Sequence, residues 1–274
     1  MMLSVAVPTY GKSYYLTECL ESIFAQTIKV ECIVCDGESE FSFDDSRWSW
    51  VKHISIKPDP GMVGCWSIAA NNANTKYISF LADDNAWEPT FAEKMVDFLE
   101  ANPNCDVVFC NQLFIRNNGC VDYSYSQSVN RSYGRDILES GIIDKAWKKH
   151  IIKYNSIPLE ACVIRKTLWD MYGSFEINAY GAFDLHFFLN MLTSDVTFGF
   201  VQEPLCRFRI HSDSYTTRKQ EEHIRGSIWA LKSIIIDNSH FDRIIFFRLL
   251  EFYFRLAKLY FSKSRVIRFF QNTN

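Results

Sequence analysis

The chain has 274 residues, of which 48% are hydrophobic and 16% aromatic, and its formal net charge is −3. This composition supports a large buried core and excludes a disordered chain. The acidic balance argues against a nucleic-acid binder with a basic face, so we expect no nucleic-acid partner. Nine cysteines without a disulfide-framework spacing indicate reduced thiols, as in a cytosolic protein.

The first part of the chain alternates predicted strands with predicted helices. Apolar runs predict strands at residues 3–7, 31–35, 53–56 and 77–81, with helical spacing at 16–24 and 67–73 between them. This order is typical of a parallel α/β sheet, whose ligands bind at the carboxyl ends of the strands. Polar residues follow three of these strands and are predicted to converge on one crevice: Thr9, Tyr10, Asp36, Asp83 and Asp84.

The second part of the chain is more mixed. The pattern predicts a helix at 91–99 and a strand at 107–110, followed by a polar, irregular stretch from 116 to 150 with a short helix. A further strand is predicted at 159–164 and a helix at 184–192.

The stretch ISFLADDNAWEP places Asp83 and Asp84 side by side at the end of an apolar strand. Neighbouring carboxylates repel and lose water near a sheet, so a positive partner is expected, and a divalent cation is the obvious candidate. The alternative is that Asp83, Asp84 and Asn85 cap the following helix.

Five segments together resemble glycosyltransferase family 2, whose nucleotide-sugar-binding fold is called GT-A. They are SVAVPTYGKSYYLTECLESIFAQT, IVCDG, LADDN with the following Trp and Pro, YGSFEINAYGAFDLHFFL and RIHSDSYT. The resemblance implies an α/β fold with a mixed, mostly parallel central sheet flanked by helices, and a C-terminal helical extension. It implies a nucleotide-sugar-binding half at 1–100, an acceptor-binding and catalytic-base half at 101–215, and a basic amphipathic helical region at 216–274.

The resemblance also implies the nucleotide-binding residues. Asp36 would accept the N3–H of uracil, Tyr10 would flank the ring, and Pro8 and Thr9 would hold the base edge. Asp83 would touch the ribose or the water shell of a metal ion. The alternative for Asp36 is an aspartate that bonds its own turn, and for Tyr10 a plain surface aromatic.

A metal site is implied beside these residues. Asp84 would bind Mn²⁺ or Mg²⁺, which bridges the phosphates of the donor. His211 would be a further metal ligand or a diphosphate contact, and Arg209 would pair with a phosphate. A structural histidine is the equally weighted alternative for His211.

Asp184 is implied as the general base of an inverting transfer, which takes the proton of the acceptor hydroxyl. The sequence has Phe183 where the family often has glutamate, and the alternative for Asp184 is a helix N-cap. Gly181 would let the backbone approach the sugar or the acceptor, or would serve a turn only.

The segment 241–270 carries seven Lys and Arg residues against one Glu between Arg243 and Arg268. Its predicted polar stripe is formed by Arg248, Glu251, Arg255, Lys258, Ser262 and Arg265. Its predicted apolar side is formed by Ile245, Leu249, Phe252, Leu256 and Leu259. Such a helix fits peripheral contact with an anionic membrane. The alternative is that this helix packs on the catalytic domain or in a dimer interface. The sequence therefore leaves open whether the protein forms a homo-oligomer.

The sequence therefore predicts an inverting, metal-dependent glycosyltransferase that uses a UDP-sugar. The resemblance implies a saccharide or lipid-linked oligosaccharide acceptor in cell-surface polysaccharide synthesis, on the cytoplasmic side and at the inner face of the membrane. A nucleotidyltransferase is one alternative, although VPTYGKS lacks its glycine-rich, basic phosphate loop. A non-catalytic sugar-nucleotide-binding or scaffold subunit is the other, because Phe183 and Ala82 depart from the family pattern.

Overall fold

The computed structural model describes residues 1–212, 214–238 and 243–271, without side chains at 216, 217, 236–238 and 262–271. The chain forms two compact units. The first, here called the sheet unit, comprises Met1–Phe175 and Asp195–His211. The second, the helical unit, comprises Glu176–Ser194 and Ser212–Asn274.

All the strands of the described residues lie in the sheet unit. They are β1 (Leu3–Thr9), β2 (Val30–Asp36), β3 (Val51–Ser55), β4 (Tyr77–Phe80), β5 (Ala86–Trp87), β6 (Val107–Ile115), β7 (Gly141–Ile142), β8 (Cys162–Arg165) and β9 (Phe198–Arg209). Its helices are α1 (Leu16–Phe24), α2 (Gly61–Asn71), α3 (Phe91–Ala101), α4 (Tyr123–Ser132), α5 (Lys148–Tyr154) and α6 (Lys166–Tyr172).

The strands form one mixed sheet in the order β3-β2-β1-β4-β8-β6-β9-β5, with β7 paired to β9. β3, β2, β1 and β4 are parallel neighbours, and β6 and β9 run in the same direction as these four. Strands β1 and β4 are buried along their whole length, as expected when both faces of a parallel sheet are covered. The predicted mixed, mostly parallel α/β sheet is confirmed.

The helical unit contains α7 (Phe183–Leu192), α8 (Tyr215–Arg218), α9 (Gln220–Asn238) and α10 (Arg243–Gln271), preceded by a 3-10 segment at Ile177–Ala182. Helix α9 packs against this 3-10 segment, against α7 and against α10. The approach is close at Gly226, where a Cβ would lie 2.0 Å from the carbonyl oxygen of Ala179. Only glycine therefore fits at this contact. The predicted C-terminal helical extension is confirmed.

Strand β6 is longer than the predicted strand at 107–110 because polar residues continue it. The buried Gln112 accepts a hydrogen bond from Arg135 (3.2 Å), and its backbone exchanges hydrogen bonds with the side chain of Asn130. Polar residues inside a strand are tolerated when such partners satisfy them. The partners Asn130 and Arg135 come from the stretch 116–150, which contains the described helix α4 and only the beginning of α5, where we predicted one short helix.

Two smaller expectations are also corrected. The predicted strand at 159–164 begins only at Cys162, because Leu159–Ala161 forms a 3-10 turn. The predicted helix at 67–73 begins at Gly61, directly after Pro60. The nine cysteines are free thiols in the structure, and eight of them are buried. Among the described helices, none has the length and apolarity that a membrane span requires.

Candidate functional site

The carboxyl ends of β1, β2 and β4 bring several predicted residues together in the sheet unit. Thr9 pairs with Asp36 across β1 and β2, and its hydroxyl donates to Oδ2 of Asp83 over 2.8 Å. Pro8 is buried within β1, whereas Tyr10, just beyond the strand, is 65% exposed and accessible to a ligand. We call Thr9, Asp36, Asp83, Asp84 and His211 the sheet-edge site.

The carboxylate of Asp36 already has a protein partner at each oxygen. Oδ1 accepts the backbone N–H of Ser39 over 2.6 Å, and Oδ2 lies 3.0 Å from Nε2 of His53. The bond to Ser39 is the turn contact that we gave as the alternative role of Asp36. Asp36 makes this contact and also lies at the end of β2, where a ligand is expected to bind. The side chain is nearly buried, so these two bonds fix its direction.

Asp83 and Asp84 form a turn and not a helix cap. Helix α3 begins at Phe91 with Thr90 as its N-cap, so the capping alternative is wrong. Burial, and then the charge of the adjacent Asp84, raises the pKa of Asp83 to about 6. A cation bound here would relieve that repulsion.

His211 lies beside Asp84 at the end of β9. Its Nε2 is 2.9 Å from Oδ2 of Asp84, and both side chains are partly buried. The turn is tied to β9 a second time, since Oδ1 of the buried Asn85 accepts the backbone N–H of Arg209 over 2.8 Å. The structure therefore places Asp84 and His211 together.

Arg209 is buried, with 1% of its surface exposed, and its guanidinium is directed at protein acceptors. Its Nε donates to the carbonyl oxygen of Asp84 over 2.8 Å, and Nη2 donates to Glu18 over 2.5 Å. The ring of Tyr15 lies 4.2 Å from the guanidinium carbon. These contacts tie Arg209 to the Asp84 backbone and to Glu18 of α1, and a phosphate contact of Arg209 stays a prediction.

The donor atoms of this site suit a divalent cation that a substrate helps to bind. A carboxylate oxygen and an imidazole nitrogen are ligands of Mn²⁺, and Mg²⁺ is commonly held by one or two carboxylates together with phosphates. Within the described ranges, no three His, Cys, Asp or Glu side chains are arranged to hold a metal ion by themselves. Asp84 and His211 thus fit an ion that diphosphate oxygens complete.

Asp184 lies in the helical unit, in the first turn of α7. The helix begins at Phe183 with Ala182 as its N-cap, so the capping alternative for Asp184 is wrong. Burial raises the pKa of Asp184, and the nearby His223 acts in the opposite direction. A carboxylate with a raised pKa is a stronger base, as proton abstraction requires.

Gly181 is required by packing within the helical unit. A Cβ at this position would lie 2.3 Å from the ring of Tyr215, and Nδ1 of His223 is 2.8 Å from the Gly181 carbonyl oxygen. The preceding Tyr180 has a φ of 47°, which is unusual for a residue with a side chain. The structure thus shows a packed turn before Asp184, and an approach of Gly181 to a substrate stays a prediction.

Sequence reasoning missed four residues around these sites: Tyr15, Glu18, His53 and His223. Tyr15 and Glu18 lie within the first recognised segment but received no role there, whereas His53 and His223 stand outside the recognised segments. Lone histidines in polar stretches are usually structural. Glu18 and Tyr15 lie at the start of α1, where the predicted helical pattern assigned them no role. Only the fold brings them to Arg209.

Comparisons with known proteins agree on the fold and the family. The family model described as "Glycosyl transferase family 2" matches residues 4–152. An uncharacterized glycosyltransferase of Methanocaldococcus jannaschii is 24% identical over 92% of this chain and 88% of its own length.

Solved structures share the fold at low sequence identity. The structure of S. aureus TarS 1–349 in complex with UDP-GlcNAc has a TM-score of 0.69 and 16% identity, over 92% of this chain and 71% of that chain. The mannosyltransferase PcManGT of Pyrobaculum calidifontis, in complex with GDP-Man and Mn²⁺, has a TM-score of 0.62 and 17% identity, over 93% and 69%. These likenesses support the GT-A fold.

Proposed function

The chain belongs to glycosyltransferase family 2, and we propose that it is an inverting, metal-dependent enzyme that transfers a sugar from a UDP-sugar to a saccharide or lipid-linked saccharide. The observation that carries the proposal is the sheet-edge site, where Thr9, Asp36 and Asp83 meet and Asp84 lies beside His211. Family membership argues against a nucleotidyltransferase.

The donor is proposed to lie across the sheet-edge site. Asp36 accepts the N3–H of the base, the exposed Tyr10 flanks the ring, and Pro8 and Thr9 line the base edge. Asp83, held by the Thr9 hydroxyl, faces the ribose. TarS has been solved with UDP-GlcNAc and PcManGT with GDP-Man, so this fold accommodates both nucleotides, and the choice of UDP here rests on the sequence resemblance.

The diphosphate is proposed to lie beside Asp84 and His211. These two side chains would hold Mn²⁺ or Mg²⁺, and such an ion supplies Lewis-acid stabilisation of the departing diphosphate. Arg209 anchors the Asp84 backbone and the strand end that carries His211. The fixed position of the two ligands keeps the reorganisation on binding small.

The transfer is a single displacement at the anomeric carbon. The acceptor oxygen forms the new bond to this carbon from the side opposite the diphosphate, and the bond from the carbon to the diphosphate oxygen breaks. Asp184 takes the proton of the acceptor hydroxyl. The departing electron pair stays on UDP, so the configuration at the anomeric carbon is inverted.

An assay of UDP release tests this proposal. It uses a panel of UDP-sugars and a panel of saccharide acceptors, each with and without Mn²⁺. Transfer is expected only with the metal, and the anomeric proton coupling in the product's NMR spectrum is expected to show inversion. UDP binding without turnover for every donor would favour the non-catalytic alternative.

The acceptor is proposed to be presented at an anionic membrane by α10. One face of this helix contains the buried Ile245 and Phe252 and packs toward α9. The exposed side is also apolar, although the notion of a polar stripe did not predict this: Phe246, Phe247, Leu250, Phe254 and Phe261 are each at least 37% exposed.

The charge of this segment supports an anionic membrane over a neutral protein surface as the partner of the exposed face. Glu251, Arg255 and Lys258 of the predicted polar stripe are exposed, whereas the side chains of Ser262 and Arg265 lie outside the described residues. Seven Lys and Arg against one Glu make the segment basic in a chain with net charge −3. Exposed aromatic rings combined with basic residues are typical of interfacial helices.

Sedimentation with liposomes that contain anionic or only zwitterionic lipids tests the membrane contact. The full chain is expected to sediment with anionic liposomes, and replacement of Phe247, Leu250 and Phe254 by serine is expected to abolish it. Met171→Ser, which changes an exposed apolar residue of the sheet unit, is the control. Unchanged sedimentation of the triple variant would contradict the proposal, and a dimer lost on the same substitution would assign the face to a second copy.

A further inference from the structure

The two oxygens of the Asp36 carboxylate are held by different elements. Oδ1 accepts from the backbone N–H of Ser39 in the turn after β2, over 2.6 Å. Oδ2 accepts from Nε2 of His53 on the neighbouring strand β3, over 3.0 Å. Since an ionised carboxylate only accepts hydrogen bonds, the His53 nitrogen that faces it carries the proton.

An aromatic cluster holds the His53 ring in place. Phe43 stacks on the imidazole, with ring centroids 4.0 Å apart and planes 20° from parallel. Phe41 packs edge-on against Phe43 at 4.8 Å and contacts Trp48, which is 3% exposed. His53 is therefore a fixed donor to Asp36, although its side chain is 31% exposed.

Burial also limits the space around the Asp36 carboxylate, in addition to its two hydrogen bonds. Only 7% of the Asp36 side chain is exposed. The next residue, Gly37, has Asp59 so close that a Cβ would lie 2.1 Å from its Oδ1. The Asp36 carboxylate is therefore largely enclosed by protein atoms.

Two nucleobases place different demands on an acidic acceptor. Uracil presents one imide N–H between two carbonyl oxygens. Guanine presents a ring N–H beside an amino group, and a carboxylate matches this edge by accepting with both oxygens at once. The Asp36 carboxylate is almost buried, and each of its oxygens already has a donor. It is therefore better suited to the single N–H of uracil than to the two donors of guanine.

We propose that His53 is a specificity-determining residue of the donor site. By holding Oδ2 of Asp36, it occupies one acceptor site and fixes the plane of the carboxylate, and so favours a base with a single imide N–H over guanine. His53 does not touch the reacting atoms, and it acts through Asp36. This inference rests on the proposed nucleotide-sugar function.

Titration calorimetry of the full chain with UDP and with GDP, in the presence of Mn²⁺, tests the proposal. The wild-type chain is expected to bind UDP more tightly than GDP. His53→Ala is expected to weaken UDP binding by about tenfold, as for a lost hydrogen bond to a charged group, and to reduce the UDP preference. His53→Gln, whose amide can still donate to Asp36, is expected to retain most of that preference.

Controls separate this role from folding. His150→Ala removes another histidine of the sheet unit, which contacts the Gly134 carbonyl oxygen, and is expected to leave the UDP-to-GDP ratio unchanged. Thermal unfolding of each variant reports its fold, and His53→Gln carries the test if His53→Ala does not fold.

Three results would overturn the inference, and one of them would also contradict the proposed donor site. A wild-type preference for GDP contradicts it, as does a UDP-to-GDP ratio that is the same in the wild type, His53→Ala and His53→Gln. A GDP preference would also contradict the proposed UDP donor, whereas an unchanged ratio with UDP preferred leaves the proposed function standing. A wild-type chain that binds neither nucleotide contradicts the proposed donor site itself.

Discussion

The two units position their functional residues by different means. In the sheet unit, strand register places Thr9 opposite Asp36, and backbone hydrogen bonds between strands hold the ends that carry the site. In the helical unit, Asp184 is positioned by packing, through the contact of Gly226 with Ala179 and the hydrogen bond between His223 and the Gly181 carbonyl. The sheet unit thus positions its residues through backbone hydrogen bonds, whereas the helical unit does so through the close packing of side chains.

This difference indicates a division of labour. The proposed nucleotide and metal residues lie at the ends of buried strands, and a fixed support of this kind suits a preorganised charged site. The proposed base sits on a helix whose position depends on a few close contacts. Substitutions in the two units should therefore affect different steps, and four experiments examine this separation.

The largest effect is expected for Asp184→Asn. An amide cannot take the acceptor proton, so kcat is expected to fall by about 10²–10⁴-fold while the affinity for UDP stays the same. Rates of UDP release and calorimetry of UDP measure the two quantities. Full turnover in this variant would refute the base assignment, and a matching loss of UDP affinity would break the separation between the units.

Asp84→Ala is expected to affect both binding and turnover. Loss of this carboxylate should weaken Mn²⁺-dependent UDP binding by about 10–100-fold, comparable to the effect of damaging a metal site. Titration of Mn²⁺ at fixed UDP measures the loss, and His211→Ala is expected to act in the same direction. If UDP affinity in the variant still responds to Mn²⁺ as in the wild type, the metal lies elsewhere.

Two glycine substitutions form a matched pair across the units. Gly226→Ala places a Cβ 2.0 Å from the backbone carbonyl oxygen of Ala179, so this variant is expected to lose about 1–3 kcal/mol of stability. Gly37→Ala places a Cβ 2.1 Å from Oδ1 of the Asp59 side chain, which can rotate away, so a smaller loss of stability is expected. Gly226→Ala should lower turnover and leave UDP affinity intact, whereas Gly37→Ala should lower UDP affinity. The same loss of both properties in both variants would show that the units respond as one.

The smallest effect is expected for Tyr10→Ala. A ring that stacks on the base contributes about 1 kcal/mol or more, so UDP affinity should fall by roughly fivefold. Tyr10→Phe keeps the ring and should bind like the wild type. Because Tyr10 is 65% exposed, thermal stability should not change in either variant. Wild-type UDP affinity in Tyr10→Ala would leave Tyr10 as a surface aromatic.

Strands with a continuous apolar pattern could be predicted from the sequence. Strands whose polar residues need hydrogen-bond partners from other parts of the chain could not. β1, β2 and β4 were found close to their predicted bounds because their residues bury themselves on both faces. Strand β9 was missed: its middle carries exposed polar residues and a proline, QEP, so the run has no regular period. The extension of β6 was missed because Gln112 needs Arg135 and Asn130 to be buried.

The sequence alone determined the α/β order, the family and the acidic residues at the strand ends, because each is encoded in a local run of residues. Tertiary structure alone decided that Arg209 supports Asp84 and that His53 holds Asp36, since these contacts join residues 125 and 17 positions apart. A hydrogen bond between distant residues leaves no periodic trace in the chain. Its partners can be identified only when the sheet has brought the strand ends together.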